Sequence, residues 1–137
     1  MAFQETDGLD RIIIQGIGPV EITLAGIVDA GDPLMYSSGW VLSASTSTEP
    51  TLLVAAVKGV SGEVIKAYPL AEIQVTNTSG NVGTVGELVA VVDDGTFAVA
   101  TTNCQNVGFV TAVDTATSLW TRFVFCGLAA SLTVVRA

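Results

Sequence analysis

The sequence predicts an all-β fold, a small β-barrel or β-tulip-like domain or a sandwich, built from short strands with an extended arm at the N-terminus. Three observations predict it. Turn-forming residues recur at short intervals along all 137 residues. The runs between them are rich in Val, Ile, Thr and aromatics, the residue types that fit a pleated surface. Half of the residues are hydrophobic while only 13% are charged, so there is ample material for a core but little to solvate a large surface.

Residues 1–10 are polar and precede the first apolar run, so they read as an arm outside the core, with 11–137 forming one β domain. Arg11 to Ile14 opens the domain. Gly16, Gly18 and Pro19 then mark a turn; no Gly-Lys-Ser/Thr follows them, so they are not a phosphate loop. Leu34 to Tyr36, the turn Ser37-Ser38-Gly39, and Trp40 onward form a hairpin. Thr48 to Val57 is the best helix candidate, with Thr48 as cap and Pro50 at the first turn, although Val and Thr are poor helix formers. Ala71 to Thr76 alternates apolar and polar, as a half-buried strand does. Leu88 to Val92, Asp93-Asp94-Gly95, then Thr96 to Val99 is the clearest hairpin. Asp114 with Thr115 to Trp120 is a second, one-turn helix candidate, and Arg122 to Phe125 is a strand.

The chain also divides into two similar stretches, about residues 26–75 and 82–126. Gly31 to Gly39 followed by Trp40 parallels Gly86 to Gly95 followed by Thr96 and Phe97. Leu53 to Val57 parallels Phe109 to Val113, and Val64 to Val75 is matched with Ser118 to Phe125. Each unit is too small to bury its own apolar face, so the two are expected to pack on a common core.

Composition narrows function. Thirteen acids against five basic residues give a net charge of -8, which argues against binding nucleic acid or an anionic membrane. With no histidine, the commonest general base and the Ser-His-acid triad are missing. The aspartates sit mostly where turns need them, so paired-carboxylate catalysis is disfavoured and no enzyme is expected. Asp93 and Asp94 read as a hairpin turn, not a calcium loop. No cofactor is expected, and two cysteines without histidine make no zinc site. Cys104 and Cys126 read as small buried hydrophobes, with a disulfide open to them if their strands are neighbours. No signal peptide or spanning run is visible, so the chain reads as cytosolic in origin. Tyr36, Trp40 and Trp120 are candidate interface or ligand aromatics, and the pair straddling the first hairpin keeps a sugar-binding module in play.

The series Ala30-Gly31-Asp32-Pro33-Leu34, Gly39-Trp40-Val41, Leu53 to Val57, Gly62-Glu63-Val64-Ile65 and Ala71 to Val75 resembles the small capsid decoration (cement) proteins of tailed bacteriophages. Val85-Gly86-Glu87-Leu88, Val107 to Val110 and Phe123 to Phe125 fit the same pattern. The resemblance implies a protein made in the host cytoplasm that binds the exterior of an assembled head. It also implies clustering, with a homotrimer favoured, and bridging of major capsid protein subunits. On that reading Phe3, Gln4, Glu5 and Thr6 of the arm contact coat protein. The competing readings are a tail-tube or coat subunit and a carbohydrate-binding module displayed on a capsid.

Overall fold

A computed structural model describes residues 11–44, 49–76, 83–92, 95–99, 105–117 and 119–127. Its strands are β1 (Arg11–Ile17), β2 (Val20–Thr23), β3 (Pro33–Tyr36), β4 (Trp40–Leu42), β5 (Thr51–Ala55), β6 (Val64–Tyr68), β7 (Leu70–Thr76), β8 (Leu88–Val92), β9 (Thr96–Val99), β10 (Gln105–Val113) and β11 (Trp120–Cys126). They form a six-stranded sheet in the order β1-β7-β11-β10-β8-β9 and a five-stranded sheet in the order β2-β6-β5-β3-β4. All strand pairs are antiparallel. The chain is therefore all-β, a two-sheet arrangement of sandwich type in which neither sheet closes into a barrel.

Local chemistry accounts for most of these elements. In β7, Ala71, Ile73 and Val75 point inward while Glu72 and Gln74 point outward, as the alternation requires. The β3–β4 hairpin turns through Ser38 and Gly39, both at positive φ, and pairs Tyr36 with Trp40. Gly18, at φ 69°, turns β1 into β2. Val89 to Val92 pairs with Thr96 to Val99 as the second hairpin; Asp93 and Asp94 lie outside the described residues.

Neither helix candidate forms a helix. Residues 51–55 are strand β5, whose Thr51, Leu53, Val54 and Ala55 are all buried. Burial on both faces removes the alternation that would mark a strand. Residues 115–117 form a turn folded over the Asp114 carboxylate, and β11 starts at Trp120.

Two apolar clusters form the core. One gathers Ile73, Val75, Val89, Phe97, Val110, Phe123 and Phe125 within the six-stranded sheet, joined by Val54 of β5. The other gathers Ile22, Leu24, Leu34, Leu53, Ala55 and Ile65 within the five-stranded sheet. Successive residues of β5 thus serve different cores, which is how the sheets share a boundary. Both sheets curl. Phe97 on β9 and Phe123 on β11 are three strands apart, about 14 Å on a flat sheet, yet their ring centroids lie 4.8 Å apart. Arg11 on edge strand β1 reaches the opposite edge, with its guanidinium 4.7 Å from the Phe97 ring centroid. The edges of the five-stranded sheet meet at a single bridge, Leu24 to Trp40.

The five strands β2 to β6 and the five strands β7 to β11 follow the same path. In both, the first strand pairs with the fifth, the fifth with the fourth, the fourth with the second, and the second with the third. Leu70–Thr76 accordingly takes the place of β2 at the start of the second set, not a place beside β6.

A second recurrence is local. At Asp29–Asp32, Val60–Glu63 and Thr84–Glu87, the amide of the fourth residue donates to the carbonyl of the first, at 3.1, 3.1 and 3.0 Å. The third residue is glycine at φ 84°, 93° and 95°, a conformation a side chain would strain. The closing acid accepts the first residue's amide, at 2.8 Å for Asp32, 2.8 Å for Glu63 and 2.6 Å for Glu87. Each turn docks on a neighbouring backbone through the same pair of bonds. Gly31 donates to Ala55, which donates to Asp32; Gly62 and Glu63 clasp Leu24 likewise, and Gly86 and Glu87 clasp Val110.

Candidate subunit-contact surface

Of the residues singled out from the sequence, Phe3, Gln4, Glu5 and Thr6 lie outside the described residues. Tyr36 and Trp40 are brought together: they face each other across the β3–β4 hairpin with centroids 5.4 Å apart and rings at 72°. Trp40 packs against the smaller core and only Tyr36 is largely exposed. An edge-on pair of this kind offers no continuous flat face for a sugar ring. Trp120 stands on the other sheet, where the Arg122 guanidinium lies 5.0 Å from its ring centroid. Cys126 is a half-buried free thiol at the end of β11, and Cys104 lies outside the described residues.

The outer face of the six-stranded sheet carries an apolar surface. Register places Leu88, Phe109, Val124, Glu72 and Gln15 in one row across five strands. The adjoining row carries Cys126, Leu70 and Ile17. Leu88 is 51% exposed, Ile17 50% and Phe109 47%. A shallow cavity of about 260 Å³ lies between Gln15, Ile17, Leu70, Glu72 and Val124. Two polar pairs on this face bond within it: Arg122 Nε donates to Gln74 Oε1 at 2.8 Å, and the Thr111 hydroxyl donates to Glu72 at 3.4 Å. The apolar side chains are left facing outward. Edge strand β1 extends the same surface with Ile12 and Ile14, both exposed, and carries no charge after Arg11. Edge strands are normally guarded by charge; here the guard is a bulge at Ile14.

A second apolar area is the tip made by residues 24–30 and 56–62. Val28 and Gly59 exchange reciprocal backbone bonds of 2.9 and 3.0 Å, so the two loops are fixed to each other. They nevertheless hold Ile27, Val57 and Val60 in solvent, and Ile27 and Val60 line a depression together with Asp29, Lys58 and Glu63. Loop tips are ordinarily polar, so rigid apolar ones are suited to contact.

Among the described residues, two carboxylates have altered acidity, both for structural reasons. Asp114 is lowered to about 2, first by the Thr117 hydroxyl and amide, then by the amides of Leu119 and Ala116. Asp32 is raised because burial disfavours its charge, partly countered by the Asp29 amide and by Arg11 2.7 Å away. Among the described residues no group of three or more His, Cys, Asp or Glu is placed to hold a metal ion. Arg11 escaped sequence reasoning altogether. Its side chain is fully buried, bonds Gly31 O, Asp32 Oδ1 and Gly95 O, and ties β1 to both sheets. The one available signal was a lone cation opening an Ile-rich strand in a chain with few cations.

No protein-family model matches the chain, and no curated protein matches it.

Proposed function

We propose that this chain is a virion structural protein that binds the outer surface of an assembled phage capsid and stabilises it by bridging coat subunits. The observation that carries the reading is the outer face of the six-stranded sheet. It presents an apolar run of Leu88, Phe109 and Val124 across three neighbouring strands, continued by Leu70 and Ile17 in the adjoining row. Such a face gains free energy by being covered, at roughly 25 cal/mol per Å² of apolar area removed from water. It is a surface for adhesion, and nothing about it resembles an enclosed reactive pocket. The resemblance to cement proteins supplies the partner, the major capsid protein, and favours a homotrimer.

The physical mechanism is linkage. A protein that binds the assembled lattice but not free subunits stabilises each site by about 2.7 kcal/mol when present at a hundred times its Kd. Repetition over the lattice multiplies the effect. The test is to mix the purified chain with preformed, undecorated heads and sediment them. Co-sedimentation to saturation, with heads that then survive heating better, is the expected result. A chain left in the supernatant, or one needed before heads can form at all, overturns the reading; the latter outcome belongs to a coat or tail-tube subunit.

A further inference from the structure

The three Gly-acid turns share one backbone, one carboxylate bond and one docking pattern, but they differ in what lies on them. On the first turn lies an arginine. Arg11 Nη1 donates to Gly31 O at 3.1 Å and to Asp32 Oδ1 at 2.7 Å. The two Asp32 oxygens therefore act separately, with Oδ2 closing the turn and Oδ1 holding the guanidinium. The aliphatic stem of Arg11 covers the glycine so closely that a Cβ on Gly31 would stand 3.0 Å from it. Gly31 and Asp32 are buried as a result. At the other two turns a Cβ on Gly62 or Gly86 would meet nothing within 4 Å. Glu63 and Glu87 each use Oε1 to close the turn, and no described residue bonds the other oxygen. Exposed apolar side chains flank both bare turns, Val60 and Val64 at one, Val85 and Leu88 at the other.

We propose that the turns at Val60–Glu63 and Thr84–Glu87 are arginine sockets that take guanidinium groups from an extended segment of a partner protein. Arg11 shows the bound state within this same chain. The ligand needs one nitrogen that donates to a carbonyl and a carboxylate together, as Arg11 Nη1 does, and an apolar stem to lie on the bare glycine. Lysine has the stem, but its ammonium is a more strongly hydrated point charge that loses more on leaving water for such a site. A second copy cannot fill both sockets: of the three arginines in the chain, Arg11 and Arg122 are engaged, and Arg136 could serve one socket at most. The occupant is therefore another protein, and a chain of net charge -8 is complementary to a basic one. This deepens the adhesion reading and rests on it for the partner's existence, but not for the sockets' chemistry.

The experiment titrates the full ¹⁵N-labelled chain with a capped Ile-Arg-Ile peptide, with Ile-Lys-Ile as control, and follows backbone amides by NMR. Saturable shifts at Gly62 and Gly86 with the arginine peptide, but not the lysine one, are expected. Gly31, already covered, should not move. Glu63→Gln should abolish the shift at Gly62 alone and Glu87→Gln the shift at Gly86 alone; both side chains lie outside the core, so the variants should fold. Absence of saturable shifts, equal shifts with lysine, or shifts unaffected by the substitutions would refute the sockets. Head sedimentation decides the adhesion reading separately: sockets that bind the peptide in a chain that ignores heads would stand, with another basic partner.

Discussion

Replacing Arg11 with methionine tests how the edges of this fold are held. The side chain is wholly buried and the Asp32 side chain is 10% exposed, so the pair is not a surface ion pair. Methionine keeps the stem over Gly31 but removes the guanidinium that lies on the Phe97 ring and donates to Gly31 O, Asp32 Oδ1 and Gly95 O. Asp32 is left with the Asp29 amide as its one remaining partner in the turn. Stranding a buried charge in this way costs about 3–5 kcal/mol. Against a total stability of about 5–15 kcal/mol that is a large fraction. In a chain of this size it corresponds to a fall in Tm of roughly 10–20 °C. Asp32→Asn in the methionine background should recover part of the loss by removing the stranded charge. The assay is urea unfolding of the two single variants and the double variant, read as a cycle. The Asp32 direction adds a pH signature. Its folded acidity is weaker than its unfolded acidity, so in the parent this group makes stability fall as pH rises through and above the ordinary carboxylate range. Losing the Arg11 charge should steepen that fall. A loss below about 1 kcal/mol, as for an exposed pair, with no steeper pH dependence, would refute the reasoning.

Three further outcomes follow from the same geometry. Gly108→Ala places a Cβ 1.6 Å from the Val124 carbonyl oxygen, a backbone atom that cannot rotate away; a loss of about 3 kcal/mol or more is expected by thermal unfolding, at or beyond the usual overpacking range. Asp114 is the opposite of Asp32: its folded value of about 2 lies below the ordinary 3.8, so its contribution is present above pH 4 or so and is lost as pH falls toward 2. Asp114→Asn should flatten stability across that window in acid-unfolding curves. Phe109→Glu, on the outer face, should change unfolding free energy by about 1 kcal/mol or less, yet weaken head binding at least tenfold if that face is an anchor; equal binding would move the contact elsewhere.

What the sequence disclosed was set by how local each determinant is. The alternation of β7 and the two hairpins were legible because period-two patterning and Gly-containing turns act over a few residues. β5 resembled a helix in sequence because Val54 faces one core and Leu53 and Ala55 the other, leaving no polar face. Tyr36 and Trp40 could be paired from the turn between them, whereas Trp120 belongs to a different sheet. The Gly-acid pairs at 31–32, 62–63 and 86–87 were visible as residues. Their docking was not, because each clasps a strand distant in the chain. The Arg11–Asp32 contact, spanning 21 residues, and the outward row from Leu88 to Gln15 exist only once five strands are in register. The candidate face was thus less legible than the fold, since it is written in register and not in motif.

The central claim is that this chain lives on a viral particle, and counting it there tests the claim most directly. Purified virions should contain it at a fixed copy number, commensurate with the number of coat subunits, and removable without dissolving the head. Particles that are complete and infectious but carry none of it would contradict the account.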